Sequence, residues 1–353
     1  MSNFLKDYSG KKILVTGHTG FKGAWLSRIL VLAGAQVYGL ALAPDANSLF
    51  DVIDDLGLKE STILDIRNRS AVESYFATHR FDGVFHLAAQ PLVRRSYKEP
   101  IETFDTNVMG TAHVLDAAVS NKSTHWVVAV TTDKVYRNVE KLGGYSEEEP
   151  LGGKDPYSAS KAATEMVIAA WQTIASHSDH TIMICSARSG NVIGGGDTAE
   201  DRLIPDLIRA FHAGIKTVIR NPASIRPWQH VLDPINGYLH MGSALMAGRK
   251  ISPAYNFGPG EESKLTVEQM ADYACMQWDG AKGVDIQIDP NAVHESGVLW
   301  LSSELAKKEL GWSNRFEARE AIGWTIDWEK ESMKTSPLLA LDQQINEFYG
   351  VKP

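Results

Sequence analysis

The sequence predicts an α/β fold in which a doubly wound parallel sheet carries a smaller, discontinuous α/β region toward the carboxyl terminus. Three observations predict it. Short β-rich runs alternate with helical runs up to Ala187, a glycine-rich loop stands at the first strand-to-helix junction, and the alternation ends near Gly194-Gly195-Gly196. Alternation of this kind implies right-handed βαβ crossovers and parallel strands, as in the Rossmann arrangement. Ligands of such sheets bind at the carboxyl ends of the strands.

The predicted strands are short runs rich in β-branched and apolar residues. They are Lys12–Thr16, Gln36–Leu42, Ser61–Leu64, Gly83–Leu87, Trp126–Val130 and Thr181–Ala187. The predicted helices are Gly20–Ala33, Ser70–Thr78, Ile101–Ser120, Tyr157–Ser176 and, later, Asp201–Ala213. Asp233-Pro234 is interpreted as an N-cap and first helical residue, and Thr266 with Gln269 as the capping box of another helix.

The boundary near residue 187 divides the predicted functions of the chain. We expect residues 1–187 to form a dinucleotide-binding domain, joined by a returning segment near 233–258 that includes Tyr255–Gly258. Residues 188–232 and 259–353 are expected to bind the substrate. No internal repeat or low-complexity segment interrupts this plan.

The composition is that of an ordinary globular enzyme rather than a nucleic-acid-binding or membrane protein. Of 353 residues, 44% are hydrophobic and 22% charged, and the net charge is −8. That charge argues against broad nucleic-acid binding. The amino terminus lacks a signal-peptide core, and the longest apolar stretch, Ile29–Ala43, is too short to span a bilayer. The two cysteines lack metal-ligand spacing, and a reducing cytoplasm is the expected compartment.

A G-x-x-G-x-x-G loop made by Gly17, Gly20 and Gly23 follows the first predicted strand and precedes an amphipathic helix. Such glycines let the backbone approach a pyrophosphate, and the helix amino terminus adds N–H groups and a positive dipole. The alternative is a glycine-rich turn without a ligand. The same cofactor site is predicted to include neighbours in this loop and at later strand ends: Phe21, Lys22, Ile66, Leu87, Ala88, Ala89, Gln90 and Asn107.

The end of the second predicted strand carries no carboxylate to hold the adenosine ribose, since the chain reads Ala41-Leu42-Ala43-Pro44. No arginine stands there for a 2′-phosphate, so NAD is favoured over NADP. Asp65 is interpreted either as an acceptor for the adenine amino group or as an N-cap. Loose, exchangeable cofactor binding is the expected consequence.

Tyr157 and Lys161 share a face of a predicted helix at i and i+4. A tyrosine with an ordinary pKa of about 10 is a poor base. A nearby ammonium and a cationic nicotinamide both favour the phenolate and are expected to bring it toward working pH. Thr132 ends the fifth predicted strand, where its hydroxyl is expected to reach the same substrate oxygen.

The series G-x-x-G-x-x-G, H-L-A-A, N-V-x-G-T and Y-x-x-x-K resembles the extended short-chain dehydrogenase/reductase family over essentially the whole chain. Within it, T-T-D-K-V-Y, A-R-S-G-N-V-I-G-G-G-D, D-R-L-I-P-D and R-N-P-A-S-I-R-P-W-Q-H closely resemble the CDP-D-glucose 4,6-dehydratases. The resemblance implies a lyase that converts CDP-D-glucose to CDP-4-keto-6-deoxy-D-glucose with NAD used catalytically. It also implies a place in deoxysugar biosynthesis, such as that of lipopolysaccharide O-antigen.

The resemblance implies roles for five residues. Tyr157, supported by Lys161, is the base for C4 oxidation with Thr132 as its hydrogen-bond partner, and Asp133 is the acid for the hydroxyl that leaves C6. Related dehydratases carry a glutamate where this chain has Lys134. A lysine acts as the C5 base only if its pKa is lowered, so Lys134 is either that base or an electrostatic anchor.

A local excess of basic residues predicts the site of the nucleotide diphosphate, because arginine forks match phosphate oxygens. The predicted substrate contacts are Asn191, Arg202, Leu203, Arg220, Arg226 and, by resemblance, His294. Arg209 is expected on a solvated helix face and His230 in a buried strand.

Three other functions stay open at this point. They are a 4,6-dehydratase for a dTDP-, UDP- or GDP-hexose, a nucleotide-sugar 4-epimerase without need of Asp133 and Lys134, and a non-catalytic NAD-binding sensor. The resemblance implies a homodimer, joined by the helices Ile101–Ser120 and Tyr157–Ser176, or a higher homo-oligomer.

Overall fold

The computed structural model describes residues 3–141, 143–287 and 299–351. Its strands are listed here in chain order. They are β1 (Lys12–Thr16), β2 (Gln36–Ala41), β3 (Glu60–Ile63), β4 (Gly83–His86), β5 (Trp126–Val130), β6 (Met183–Ser189), β7 (Val192–Ile193), β8 (Thr217–Ile219), β9 (Ile225–Pro227), β10 (Gln229–His230), β11 (Ala254–Phe257), β12 (Lys264–Thr266) and β13 (Val284–Ile286).

The helices alternate with the strands of the first half and dominate the second. They are α1 (Phe21–Leu32), α2 (Arg69–Thr78), α3 (Val93–Lys98), α4 (Pro100–Phe104), α5 (Thr111–Ser120), α6 (Pro156–Ser176), α7 (Leu203–Ala213), α8 (Leu232–Met246), α9 (Val267–Gln277), α10 (Glu304–Leu310), α11 (Ala318–Lys334) and α12 (Pro337–Phe348). Short 3₁₀ turns cover Asn3–Tyr8, Asp133–Val135 and Glu261–Ser263, and a π-helix covers Asp105–Gly110.

Seven strands form one parallel sheet in the order β3-β2-β1-β4-β5-β6-β11, which confirms the predicted doubly wound fold. The strand order reverses between β1 and β4. The loops after these two strands therefore face each other at the carboxyl edge of the sheet, which is where ligands of this fold bind. β11 pairs with β6 in parallel, so the segment predicted to return to the sheet does so.

Both faces of the sheet are buried because alternate residues of each strand point to opposite sides. In β5, Trp126 and Val128 belong to the core cluster under α1, α8 and α12. Val127 and Ala129 belong to the cluster under α2, α5 and α6. No helix in the described ranges is both long enough and apolar enough to cross a membrane.

Most predicted elements are confirmed to within two residues, and the exceptions have physical causes. The predicted helix Ile101–Ser120 is interrupted by the π-helix, and α7 begins at Leu203 because Asp201 has a left-handed φ of 58°. The capping box of Thr266 and Gln269 is confirmed.

The prediction that Asp233 is an N-cap is wrong. α8 begins at Leu232, and Asp233 is buried inside its first turn. Its carboxylate accepts the backbone amides of Arg315 and Phe316, at 2.7 and 3.3 Å, from the loop after α10. The carboxylate thus caps a distant loop instead of its own helix.

Candidate active site

Tyr157 and Lys161 lie one turn apart at the start of α6, only 7% and 5% exposed. The predicted cap is confirmed, since the Asp155 side chain accepts a first-turn backbone amide and Pro156 is the first helical residue. The Tyr157 backbone amide donates to Ser96 Oγ at 3.1 Å, so α3 is joined directly to the helix end that carries the phenol.

Thr132 and Asp133 follow the end of β5 and lie beside Tyr157. The Thr132 hydroxyl donates to Asp133 Oδ1 at 2.9 Å, and it lies close enough to the Tyr157 side chain to lower the pKa of Tyr157. Asp133 is 3% exposed, and its carboxylate lies so close to Gly190 that a Cβ there would be 2.7 Å from Oδ2. The ends of β5 and β6 and the start of α6 therefore bring an acid, a hydroxyl and a phenol to one point.

The protein by itself keeps Tyr157 in the phenol form. Burial raises the pKa of Tyr157 to about 12, which outweighs the lowering by the neighbouring Thr132 hydroxyl. Burial lowers the pKa of Lys161 to about 8 against the opposing effect of Glu165, and its ammonium donates to Val130 O at 3.5 Å. The expected activation of Tyr157 thus requires positive charge beyond that of the protein alone.

Lys134 is half-buried in the turn after Asp133. Within the described ranges its ammonium makes no hydrogen bond or ion pair. An amino group in such a setting is available to a substrate, which is compatible with both predicted roles.

The glycine loop fits the diphosphate of a dinucleotide. Gly17 has a φ of 74°, and a Cβ there would lie 2.8 Å from Ala88 N on the facing loop after β4. A Cβ on Gly23 would lie 2.0 Å from Gly17 O, so this glycine packs α1 against β1. Gly20 is the N-cap of α1 without a side-chain cap, and a Cβ there would meet only Gly17 O, at 3.4 Å. The amino end of α1 is therefore left for an anion.

The strand end predicted to meet the adenosine of the cofactor reads Ala41-Leu42-Ala43-Pro44 at the end of β2. Leu42 is exposed there, and His18 of the glycine loop packs over β2, where a Cβ on Gly39 would lie 2.4 Å from its ring. The His18 ring bonds to Ser61 Oγ through Nε2 at 2.7 Å, and burial lowers its pKa to about 4. A neutral histidine thus fills the space beside the strand end.

Arg67 donates to the Asp65 carboxylate from its backbone amide and from its guanidinium, and these hydrogen bonds lower the pKa of Asp65. It closes a turn and is not a helix cap, because Asn68 is the N-cap of α2. Ile66, the next residue, is buried against Gly110, where a Cβ would lie 2.6 Å from its Cδ1.

Gln90 and Asn107 are buried partners of each other. Gln90 N donates to Asn107 Oδ1 at 2.8 Å, and Asn107 Nδ2 donates to Ser160 Oγ at 2.9 Å. Asn107 sits in the π-helix, whose irregular turn lets its side chain join the β4 loop to α6. Leu87 and Ala88 donate their amides to Thr16 Oγ1, each at 3.2 Å, so this loop is rigidly held.

The predicted diphosphate residues gather around the loop between β7 and α7 and on β8 and β9. Arg202, the N-cap of α7 before Leu203, pairs with Asp197 at 3.2 Å, and Arg220 pairs with Asp201 at 3.2 Å. Arg226 lies half-buried in β9. Asn191 is half-buried between β6 and β7. His294 lies outside the described residues.

Two other expectations are confirmed. His230 is fully buried in β10, and Arg209 lies on the exposed face of α7, paired with Asp206.

Sequence reasoning missed the contacts of two charged features, one half-buried and one buried. The ammonium of Lys22 donates to Ser189 Oγ at 2.7 Å and Tyr238 OH at 3.2 Å, crossing from the glycine loop to the end of β6. Burial lowers the pKa of Lys22 to about 7. No sequence signal joins three residues so far apart.

The second missed feature is a buried ion pair between Glu165 and Arg188, at 2.7 Å. Glu165 also accepts the hydroxyls of Thr131 and Ser186, each at 2.5 Å, so it ties α6 to the ends of β5 and β6. The sequence signal for Glu165 was its position four residues after Lys161, which places it on the same helix face as the catalytic residues.

The sheet, the glycine loop and the Thr132–Tyr157–Lys161 group define an enzyme of the extended short-chain dehydrogenase/reductase class. The family described as GDP-mannose 4,6 dehydratase matches residues 14–324. A CDP-glucose 4,6-dehydratase from Salmonella typhimurium is 44% identical over 338 residues, 94% of each chain. The protein therefore belongs to the family of nucleotide-sugar 4,6-dehydratases.

Two further proteins show a lower identity to this chain. A probable dTDP-glucose 4,6-dehydratase from Sinorhizobium fredii is 27% identical over 91% of this chain and 93% of its own. Among solved structures, an epimerase from Methanothermobacter thermautotrophicus has a TM-score of 0.80 at 24% identity, covering 94% of this chain and 96% of its own. At that identity the likeness supports the fold alone.

Proposed function

We propose that the protein is an NAD-dependent 4,6-dehydratase that converts CDP-D-glucose to CDP-4-keto-6-deoxy-D-glucose. The observation that carries the reaction is the buried group formed by Thr132, Asp133 and Tyr157, which places an acid beside the base for C4. A 4-epimerase has no hydroxyl to expel and no need of that acid. The 44% identical relative supports CDP-glucose over other nucleotide hexoses.

The glycine loop and the amino end of α1 would hold the NAD diphosphate, and Lys161 would lie beside the nicotinamide ribose. When bound, NAD stores the hydride taken from C4 and returns it at C6. Its positive charge favours the phenolate of Tyr157, which the protein alone does not. The Leu42 strand end offers no ribose carboxylate, so the proposed binding is exchangeable.

The chain's own residues manage the protons. Tyr157 Oη takes the proton of the C4 hydroxyl while Thr132 holds the same oxygen by a hydrogen bond. The resulting 4-ketone makes the C5 proton acidic. Asp133 then gives a proton to the C6 hydroxyl, whose C–O bond breaks as the C5 proton leaves and water departs. When the hydride has been returned to C6, the group that accepted the C5 proton gives a proton back to C5, and the proton held by Tyr157 replaces the one that Asp133 lost.

Lys134 has two alternative roles in this step. It is either the base that takes the C5 proton, or a cation that binds the enolate oxygen. Replacing it with methionine keeps the length of the side chain and removes the amine. If Lys134 is the base, exchange of the C5 hydrogen with D₂O should fall by about 100-fold or more while C4 oxidation stays. If it is an anchor, Lys134→Arg should restore most of the activity, because the charge is kept.

We also propose a division of labour along the chain: residues 1–187 with 233–258 hold the cofactor, and residues 188–232 and 259–353 hold the substrate. Arg202, Arg220 and Arg226 supply positive charge for the diphosphate. Asn191 and Leu203 line the same side, and His294 is carried over by resemblance alone.

The deciding experiment offers CDP-, dTDP-, UDP- and GDP-glucose to the enzyme with added NAD. Product is followed by the alkaline absorbance of a 4-keto-6-deoxy sugar and by mass for loss of water. Turnover of CDP-glucose alone is expected. Water loss from another nucleotide would keep the reaction and overturn the CDP assignment, and a C4 epimer of unchanged mass would overturn the dehydratase.

We propose a homodimer joined through the helices around α4, α5 and α6. Their exposed apolar side chains support this, among them Ile101 at 77% and Met166 at 58%. Ile101→Glu should yield monomers in analytical ultracentrifugation, whereas Met276→Glu on α9, which is 80% exposed, should not. The proposed compartment is the cytoplasm, where the free thiols Cys185 and Cys275 stay reduced.

A further inference from the structure

Asp201 holds two arginines from different parts of the chain on a single oxygen. Its Oδ1 accepts Arg94 NH1 at 2.7 Å and Arg220 NH1 at 3.2 Å. Arg94 belongs to α3, beside the sheet edge, whereas Arg220 follows β8. A carboxylate that collects two guanidinium groups in this way occupies the kind of site that a phosphate would take.

The neighbouring arginine is held in the same manner. Arg202 NH1 lies 3.2 Å from Asp197 Oδ2, and Asp197 stands four residues before Asp201 in the loop between β7 and α7. The two predicted diphosphate arginines, Arg202 and Arg220, are thus each paired with a carboxylate of one short loop. We call residues 197–201 the acidic loop.

The arginines held by the acidic loop lie near the catalytic group. Arg94 is two residues before Ser96, which accepts the Tyr157 backbone amide. The positive charge of Arg202 lowers the pKa of Tyr157, although burial has the larger, opposite effect. An anion that enters beside Tyr157 therefore meets arginines already engaged by the protein.

The backbone at Asp201 is strained, with a left-handed φ of 58°. This conformation costs free energy for every residue except glycine, although aspartate and asparagine tolerate it best among the others. Exposed ion pairs contribute little stability, and these three side chains are between 41% and 48% exposed. A loop held by weak pairs in a strained conformation is one that a better anion can displace.

We propose that Asp201 is an internal stand-in for the substrate's diphosphate, which displaces it from Arg94 and Arg220 when the substrate binds. This rests on the proposed function, since it takes a nucleoside diphosphate to be the ligand of Arg220. When the diphosphate replaces Asp201 as the partner of the two arginines, the acidic loop moves aside. Only a ligand with enough negative charge can compete with Asp201 for them. Asp201 therefore selects for the diphosphate over mono-anionic or neutral sugars.

The test compares Asp201→Asn with Asp206→Asn in the full-length enzyme. Asparagine keeps the tolerance for a left-handed φ and removes only the charge. Asp206 is the matched control, because it lies nearby on α7, forms its ion pair with Arg209 and carries the same charge. Isothermal titration with CDP and with CMP measures binding without turnover, and hydrogen exchange of residues 197–202 reports displacement of the loop.

Asp201→Asn should bind CDP about 3- to 10-fold more tightly, the range expected when one or two exposed pairs no longer compete. Its preference for CDP over CMP should narrow, and Asp206→Asn should change neither. In the wild type, CDP should speed exchange of the acidic loop. Unchanged or weaker CDP binding in Asp201→Asn, or an equal gain in Asp206→Asn, would overturn the proposal. Failure of the wild type to bind CDP at all would instead refute the proposed function.

Discussion

The Thr132 hydroxyl donates to the Asp133 carboxylate at 2.9 Å and lies close enough to the Tyr157 side chain to lower the pKa of Tyr157. One hydroxyl thus lies between the proposed acid for C6 and the proposed base for C4. All three side chains are at least nine-tenths buried, so this coupling acts where water screens little.

Thr132→Val keeps the shape of the side chain and removes its hydroxyl. We expect kcat to fall by about 100-fold, since both acid and base lose their alignment. Thr132→Ser should keep most of the activity. Steady-state kinetics with CDP-glucose measures this, with unchanged NAD binding as the control. A valine variant within a few fold of wild type would contradict the shared role.

Tyr157 should titrate far from neutrality until a cation is bound. Burial raises its pKa to about 12, so phenolate should be scarce in the ligand-free enzyme at pH 7 to 10. NAD should lower that pKa and bring phenolate absorbance near 295 nm into this range, because its positive charge favours the ionised form. The difference spectrum of wild type minus Tyr157→Phe isolates the signal. An identical titration with and without NAD would contradict this view of activation.

The sheet and the catalytic helix were predictable because their signals are local. Alternating apolar runs predict parallel strands, and Asp155-Pro156 predicts the start of α6. The glycine loop was equally clear because strand, loop and helix follow one another in sequence. These signals required no knowledge of distant contacts.

Features set by tertiary contacts were not predictable in the same way. Asp233 has the residue type of an N-cap, yet its carboxylate accepts the amides of Arg315 and Phe316. A contact with a loop some eighty residues away therefore replaces the local cap that the sequence predicts. The π-helix around Asn107 likewise depends on Gln90 and Ser160. The Lys22 contacts with Ser189 and Tyr238 exist only once β1 and β6 share a sheet.

The buried Glu165–Arg188 pair should be costly to break on one side. Glu165→Gln leaves Arg188 charged and buried, and we expect a loss of about 3–5 kcal/mol in the free energy of unfolding. Combining it with Arg188→Met should recover part of that loss, because no uncompensated charge then remains. Urea unfolding followed by circular dichroism measures both variants. A double variant less stable than Glu165→Gln would contradict the explanation by charge burial.

Asp233 should give the enzyme a stability that falls as the pH rises. Burial raises its pKa to about 7, and the amides of Arg315 and Phe316 offset this only in part. Because the folded state holds this proton more tightly than the unfolded state, the contribution is largest below the unfolded pKa of about 3.9 and is lost as the pH approaches 7. Above pH 7 it changes no further.

Asp233→Asn removes the titration and keeps an acceptor for one of the two amides, because Oδ1 and Oδ2 of the aspartate each accept one. We expect the stability of the wild type relative to this variant to decline by a few kcal/mol between pH 4 and 7, at roughly 1.4 kcal/mol for each unit of pKa difference. The comparison cancels the buried histidines His86 and His230, whose lowered pKa values act in the opposite direction. Urea unfolding at several pH values measures it. Parallel profiles for the two proteins would show that Asp233 is ionised throughout, with its two amide hydrogen bonds outweighing its burial.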